Sequence, residues 1–276
     1  MAKENQTIEG FFCSSNGFLA PKLKTKSRKS DRDLASKDIN FFDWLAPQYE
    51  RLQPIFDPLR FQVHSIILDI LNAMEPSPKI VLDLGCGNGM LAQQILELLP
   101  SARLYAIDGS IRMLEAAREN LFEFSDRITL AKADFRDPWD EVIREPVDAI
   151  VHYSALRHLP QHSLREVFTR LHGVLASGGW FVYADHFEQN LPEAVAQIAR
   201  NIREYRTESA LSDFSENLEI LDKFEKIRRA SEEQGKLADE TASSEHQVAW
   251  LIEAGFEFAL KVYQDWKISL FLARKS

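Results

Sequence analysis

Asp83 and three glycines at alternate positions, Gly85, Gly87 and Gly89, follow the apolar run Ile80-Val81-Leu82. A buried strand that ends in an acid and a glycine turn lets backbone lie directly against a ligand, because no side chain intervenes. The spacing then separates two kinds of nucleotide site. A dinucleotide fingerprint, Gly-x-Gly-x-x-Gly, needs its last glycine one place later, where this chain has Met90. That weakens the pyrophosphate logic of an anion resting on a helix N-terminus, and the Asp83 carboxylate repels phosphate while attracting a cation. A positively charged molecule without phosphate fits this turn. A glycine turn with no ligand is the plainer alternative.

Two further acids stand at later strand ends. Asp108 closes Tyr105-Ala106-Ile107-Asp108, about twenty residues past the turn, where an acid accepts the hydroxyls of a ribose. It could equally cap the helix that opens near Ser110. Asp134 and Phe135 end the third strand. A carboxylate beside an aromatic suits an adenine, the acid taking the exocyclic amine and the ring covering the base; a loop acid is the alternative. The fourth strand runs from Val147 through His152 and Tyr153 into Ser154, and the fifth from Gly179 to Asp185 and His186.

The elements that must position these residues alternate. Strands are predicted at 80–84, 103–107, 128–132, 147–153 and 179–185, with helices near 90–99, 110–122, 138–145 and 162–176. Such alternation implies parallel pairing with right-handed crossovers and helices on both faces. Ligands then bind at the carboxyl ends of the strands. After helix 245–254, the runs 256–263 and 267–273 are too close for a crossover and predict an antiparallel hairpin. The expected fold is α/β, a doubly wound, Rossmann-like, mostly parallel sheet of seven strands with that terminal hairpin.

Residues 1–38 read as a flexible basic tail, with Lys22, Lys24, Lys26, Arg28 and Lys29 unaccompanied by acids. Glu4 and Glu9 count against an organelle-targeting peptide, and the order of a secretory signal is absent. Residues 39–78 form N-terminal cap helices: Phe41, Phe42, Leu45, Tyr49 and Leu52 recur at helical steps, with Pro47 and Pro54 as breaks, before a second helix from Phe61 to Met74. The core spans 79–186 and 244–276. Between them, 187–243 is a helical insertion with amphipathic faces such as Val195, Ile198, Ile202 and Tyr205. It serves either as packing or as a lid over the strand ends.

The 276 residues carry a formal charge of -9, which argues against nucleic acid as partner. Two cysteines, Cys13 and Cys86, provide no disulfide framework. No apolar run is long enough for a bilayer, so the expected setting is cytoplasmic, without membrane contact.

Together these residues resemble the class I S-adenosylmethionine-dependent methyltransferases, particularly the small-molecule branch. Val81-Leu82-Asp83-Leu84-Gly85-Cys86-Gly87-Asn88-Gly89 is similar to the first family motif, Asp108 to the ribose acid and Ala133-Asp134-Phe135 to the adenine motif. Ser154-Ala155-Leu156-Arg157-His158-Leu159 resembles the signature after strand four, with Arg157 in place of the first of a His pair, and Leu175-Ala176-Ser177-Gly178-Gly179 the strand-five motif. The likeness covers about residues 40–185 and 245–275.

The resemblance implies S-adenosyl-L-methionine as cofactor. It would lie against Asp83, Gly85, Cys86, Gly87, Asn88, Asp108, Gly109, Met113, Asp134, Phe135, Tyr153 and Ser154, with no metal. Methyl transfer by in-line displacement depends mainly on positioning, and a base is optional. His158 and His186 are the candidate bases, Tyr49 and Asp185 the candidate substrate residues, and His152 a core residue. The acceptor is expected to be a small molecule, its identity and atom open, as is the oligomeric state. A tRNA-modifying enzyme or a non-catalytic cofactor-binding partner protein are the alternatives.

Overall fold

The computed structural model describes residues 7–8, 11–13, 19–21, 39–40, 42–187, 243–265 and 268–276, with scattered positions between 193 and 226. Three short strands, β1 (Thr7–Ile8), β2 (Phe11–Cys13) and β3 (Leu19–Pro21), precede helices α1 (Tyr49–Phe56) and α2 (Arg60–Asn72). The alternating part comprises β4 (Ile80–Leu84), α3 (Met90–Leu98), β5 (Arg103–Asp108), α4 (Ile111–Asn120), β6 (Ile128–Lys132), β7 (Val147–Tyr153), α5 (Gln161–Val174) and β8 (Leu175–His186). The chain closes with α6 (Ser244–Glu253), β9 (Phe258–Asp265) and β10 (Ile268–Arg274).

The strands form one sheet in the order β1-β2-β3-β6-β5-β4-β7-β8-β10-β9. Strands β4 to β8 pair in parallel, and β10 runs antiparallel to both β8 and β9. The seven-strand sheet with its terminal hairpin is therefore present. The three short strands extend it at the β6 edge, where Leu19 pairs with Ala131. An edge strand offers unpaired backbone groups for such an addition. The tail expected over 1–38 thus holds strand segments; the Lys22–Lys29 run and most of 187–243 lie outside the described residues.

Each face of the sheet carries its own core because successive strand residues point to opposite sides. Leu82 and Leu84 pack with Phe168, Phe181, Tyr183 and Leu251, beneath α5 and α6. Val81 packs instead with Val63, Ile67, Leu91, Ile95 and Leu114, beneath α2, α3 and α4. Strands buried on both sides read as continuous apolar runs, which is why β4 and β7 look alike in sequence.

Two local expectations differ from the structure. Pro54 lies inside α1 rather than ending a helix; the carbonyl it leaves without an intrahelical donor belongs to Glu50, an exposed residue. The helix expected over 138–145 is only a 3-10 turn, Trp139–Val142, fixed by the burial of Trp139. In the sheet, β4 touches β5 on one side and β7 on the other, so the chain's winding reverses between β4 and β7. A ligand crevice opens at the carboxyl ends of strands at such a point.

Candidate functional site

The glycine turn sits in that crevice. The amides of Gly85 and Cys86 both donate to the Ile107 carbonyl, at 2.7 and 3.1 Å, tying the turn to β5. Gly85 has φ +85°, and a Cβ there would lie 2.8 Å from the Ala155 Cβ. Gly87, at φ +55°, would meet nothing within 4 Å. Protein fills the space beside the first glycine, while the second faces open room for a ligand. Asp108 completes the turn: its Oδ2 accepts the Gly87 amide at 2.9 Å and its Oδ1 the Ser110 amide at 2.8 Å. Burial raises its carboxyl above the ordinary range, and those amides oppose the rise. The α4 cap is Ser110, whose hydroxyl accepts the Met113 amide at 3.1 Å.

Two cavities meet at the turn. The larger is an open cleft of about 740 Å³, its solvent-filled mouth included, and runs from Asp108, Gly109 and Met113 to Asp134 and Phe135, with Ile39 and Phe42 also on its wall. The smaller, about 300 Å³, is lined by Asp83, Cys86, Arg60 and His64. Four residues line both: Tyr49, Gly85, Gly87 and Tyr153.

The smaller cavity is built from buried polar groups. Asp83 is 1 % exposed and its Oδ2 has no hydrogen-bond partner. Burial pushes its carboxyl up to about 7, the Asp108 charge adding to this and Arg60 opposing it. The Arg60 guanidinium lies 5.3 Å from the Tyr49 ring centroid. His64 is held near 4 by burial and then by the Arg60 charge, so its ring is neutral, with Nδ1 2.9 Å from Gln94 Oε1. The Tyr153 hydroxyl donates to Asp57 Oδ2. An orphaned carboxylate facing the same small space as a guanidinium complements a zwitterionic amino acid group, and the open face of Gly87 complements the rest of such a ligand.

Residues 81–179 match the family model of a methyltransferase domain. A trans-aconitate 2-methyltransferase from Acidovorax sp. (strain JS42) is 33 % identical over 138 residues, 50 % of this chain and 48 % of that protein. A ribosomal RNA small subunit methyltransferase H from Thermotoga neapolitana is 35 % identical over 78 residues, 28 % of this chain and 26 % of that protein. The solved magnesium protoporphyrin IX methyltransferase from Synechocystis PCC 6803 with bound SAM has a TM-score of 0.57 at 12 % identity, covering 92 % of this chain and 100 % of that one. That last likeness concerns the fold. Residues 81–179 thus form a methyltransferase domain, and the chain has the fold of the S-adenosylmethionine-dependent methyltransferases. The match reaches about half the length of the trans-aconitate relative, 48 %.

Within the methyltransferase domain, most of the residues expected around the cofactor converge. Gly109, Met113, Asp134, Phe135 and Ser154 line the larger cavity with Asp108, and Asp83 and Cys86 the smaller. Asn88 lines neither; it is buried behind the turn and donates to Glu50 Oε1 at 3.1 Å. Asp134 Oδ1 already accepts Arg136 Nε at 2.8 Å and the Arg136 amide at 3.0 Å. Of the expected substrate residues, Tyr49 lines both cavities.

Asp185 is a correction: it is 0 % exposed and lines neither cavity. Its oxygens accept the Arg157 amide at 2.9 Å and the His186 amide at 2.7 Å and lie 3.2 Å from His152 Nε2 and 3.6 Å from Arg157 Nη1, which commits it to contacts within the fold. His186 also lines neither cavity; its Nδ1 accepts from Arg157 Nη1 at 2.6 Å. His158 closes the 3-10 turn Leu156–His158, and its side chain lies outside what the structure describes. His152 is a core residue as expected, its Nδ1 donating to the Leu84 carbonyl at 2.7 Å while Nε2 accepts the Ala155 and Leu156 amides at 3.1 Å. These contacts hold Ser154 at the cleft with φ 59°, a strained value for a non-glycine residue.

Asp57, Arg60, His64 and Arg136 went unnoticed in the sequence. A signal existed for two of them. Arg60 and His64 are four apart and share the buried face of α2 with Val63, Ile67 and Leu71. Polar residues on an apolar helix face need partners inside the fold. No helix among the described residues is long and apolar enough to cross a membrane. The described residues also hold no group of three or more side chains suited to a metal.

Proposed function

We propose that this chain binds S-adenosyl-L-methionine across the two joined cavities and transfers its methyl group to a small-molecule acceptor. The observation that carries this reading is the junction itself. The adenosine-type groups, Asp108, Asp134 and Phe135, line one cavity and the amino-acid-type groups, Asp83 and Arg60, the other. In this reading Asp108 accepts the ribose hydroxyls, Phe135 covers the adenine, Asp83 takes the ammonium and Arg60 the carboxylate. When bound, the cofactor supplies a methyl carbon already activated by a sulfonium.

The chain's own contribution is to hold the acceptor in line with that carbon and to keep water out, which supplies much of the rate in such displacements. Tyr49 and Tyr153, shared by both cavities, flank the reacting point. The acids that line the cleft, Asp83, Asp108 and Asp134, outnumber Arg60 and Arg136. This balance favours a cationic cofactor and disfavours a polyanion such as RNA.

Calorimetry with S-adenosylmethionine and its demethylated product, followed by transfer of labelled methyl to a pool of small metabolites, tests the reading. Binding with transfer supports it. Binding without transfer supports a non-catalytic partner protein instead, and loss of both defeats it.

A further inference from the structure

Resting on the methyl-transfer reading, the strongest unassigned feature is the pair formed by Tyr153 and Asp57. Tyr153 ends β7 and lines both cavities, so its phenol stands at their junction. Its hydroxyl donates to Asp57 Oδ2. A phenol has one proton; with that proton committed to Asp57, its oxygen presents only lone pairs elsewhere. Asp57 follows α1 and is buried, and its Oδ1 has no hydrogen-bond partner. The charged and titratable groups around the carboxylate are Tyr49 from α1, Arg60 from α2, Tyr153 from β7 and Arg157 from the turn after β7.

Burial raises the Asp57 carboxyl above its ordinary range, while the Tyr153 hydrogen bond, Arg157 and Arg60 limit the rise. A raised carboxyl is a better proton acceptor near neutral pH than a surface aspartate. His186, by contrast, lines neither cavity and its Nδ1 already accepts from Arg157 at 2.6 Å.

We propose that Tyr153 is a catalytic residue that takes the acceptor's proton while its own proton passes to Asp57, the positioning residue of the pair. The acceptor atom forms its bond to the methyl carbon as the carbon–sulfur bond breaks. The electron pair of that bond goes to sulfur, and the acceptor's proton goes to the Tyr153 oxygen. Tyr153 is left neutral, Asp57 becomes a carboxylic acid, and the proton returns to solvent before the next turnover. The acceptor class is thereby narrowed to a hydroxyl or amine that still carries a proton at neutral pH, rather than an ionised carboxylate.

The test uses the full chain, methyl-labelled S-adenosylmethionine and two acceptor panels, one of phenols and amines and one of carboxylates, across the whole pH range in which the protein stays folded. Transfer to the protonated panel is expected, with kcat rising with pH as Asp57 ionises. Tyr153→Phe and Asp57→Asn should each lower kcat by about 100-fold or more and flatten that rise, with KM for the cofactor changed by less than about threefold. Asp57→Glu should restore part of kcat.

An independent readout needs neither cofactor nor acceptor. In carbon NMR of the free protein, the Asp57 carboxyl should titrate at higher pH in Tyr153→Phe than in the wild type, because the phenol's hydrogen bond lowers it. Equal or faster transfer to the carboxylate panel overturns the proposal, as does unchanged kcat in Asp57→Asn or an unmoved Asp57 titration. Wild-type protein that binds the cofactor but methylates neither panel overturns it as well. If the wild type does not bind the cofactor at all, the methyl-transfer reading itself has failed.

Discussion

The Asp108 carboxylate accepts the Gly87 amide at 2.9 Å, so the acid at the end of β5 is also a support of the glycine turn at the end of β4. One residue supports the loop and, in the proposed reading, would also meet the ligand. Its second oxygen accepts the Ser110 amide at 2.8 Å, which fixes the carboxylate's direction.

Replacement of that acid should therefore be felt twice. Asp108→Ala is expected to weaken S-adenosylmethionine binding by roughly 10- to 100-fold, the range for losing hydrogen bonds to a charged group. It should also lower the melting temperature, since two amides lose their acceptor. Asp108→Asn keeps one oxygen and should fall between. Calorimetry on both variants decides; wild-type affinity in Asp108→Ala would defeat the ribose assignment.

Asp83 should make the ligand-free protein sensitive to pH. Its folded carboxyl titrates near 7, above the ordinary 3.8, through burial first and the Asp108 charge second. The folded state holds this proton more tightly than the unfolded state. The stabilisation is fully present below about pH 4 and is lost as pH rises through about 7, up to about 4 kcal/mol. Asp83→Asn should remove that slope, melting above the wild type at pH 8 and closer to it at pH 5. Cofactor affinity should behave oppositely in the wild type, rising from pH 6 to 8 as the carboxylate that meets the ammonium forms. A wild-type affinity that is flat over this range would count against the ammonium assignment.

Asp185 is expected to act on stability before function. It is fully buried and serves the Arg157 and His186 amides. Asp185→Ala leaves both donors without an acceptor, at a cost of about 2–5 kcal/mol. Thermal or urea unfolding should show this directly. Native stability with selective loss of acceptor binding would instead restore Asp185 to the substrate site.

Gly85 and Gly87 should separate folding from binding. Gly85→Ala forces a Cβ to within 2.8 Å of the Ala155 Cβ at positive φ and should cost about 1–3 kcal/mol of stability. Gly87→Ala meets no protein atom within 4 Å, so its folding penalty should be smaller, on the order of 1 kcal/mol from the left-handed backbone. Its larger effect should be on cofactor affinity, read by calorimetry.

Much of the domain was legible locally. The glycine spacing, the acids at strand ends and the alternation of apolar runs are each written within a few residues, and hydrogen bonding within the sheet leaves few ways to satisfy them. The edge strands β1 to β3 were not legible. Their pairing depends on what the β6 edge leaves open, and Phe11, Phe12 and Leu19 show no period. Asp185 misled for a related reason: an acid at a strand end looks the same whether it faces a cleft or the backbone of the next turn.

By itself, the sequence determined the strand–helix alternation of the core, the place of the glycine turn and its preference for a positively charged, phosphate-free ligand, because these follow from local spacing and periodicity. Only the tertiary structure decided which side chains stand where the two cavities join. Tyr153 and Asp57 are 96 residues apart, and Arg60 and His64 enter from a helix that precedes the glycine strand. Their meeting is set by how α1 and α2 pack over the carboxyl ends of β4 and β7, a balance of burial and polar satisfaction that no local pattern encodes.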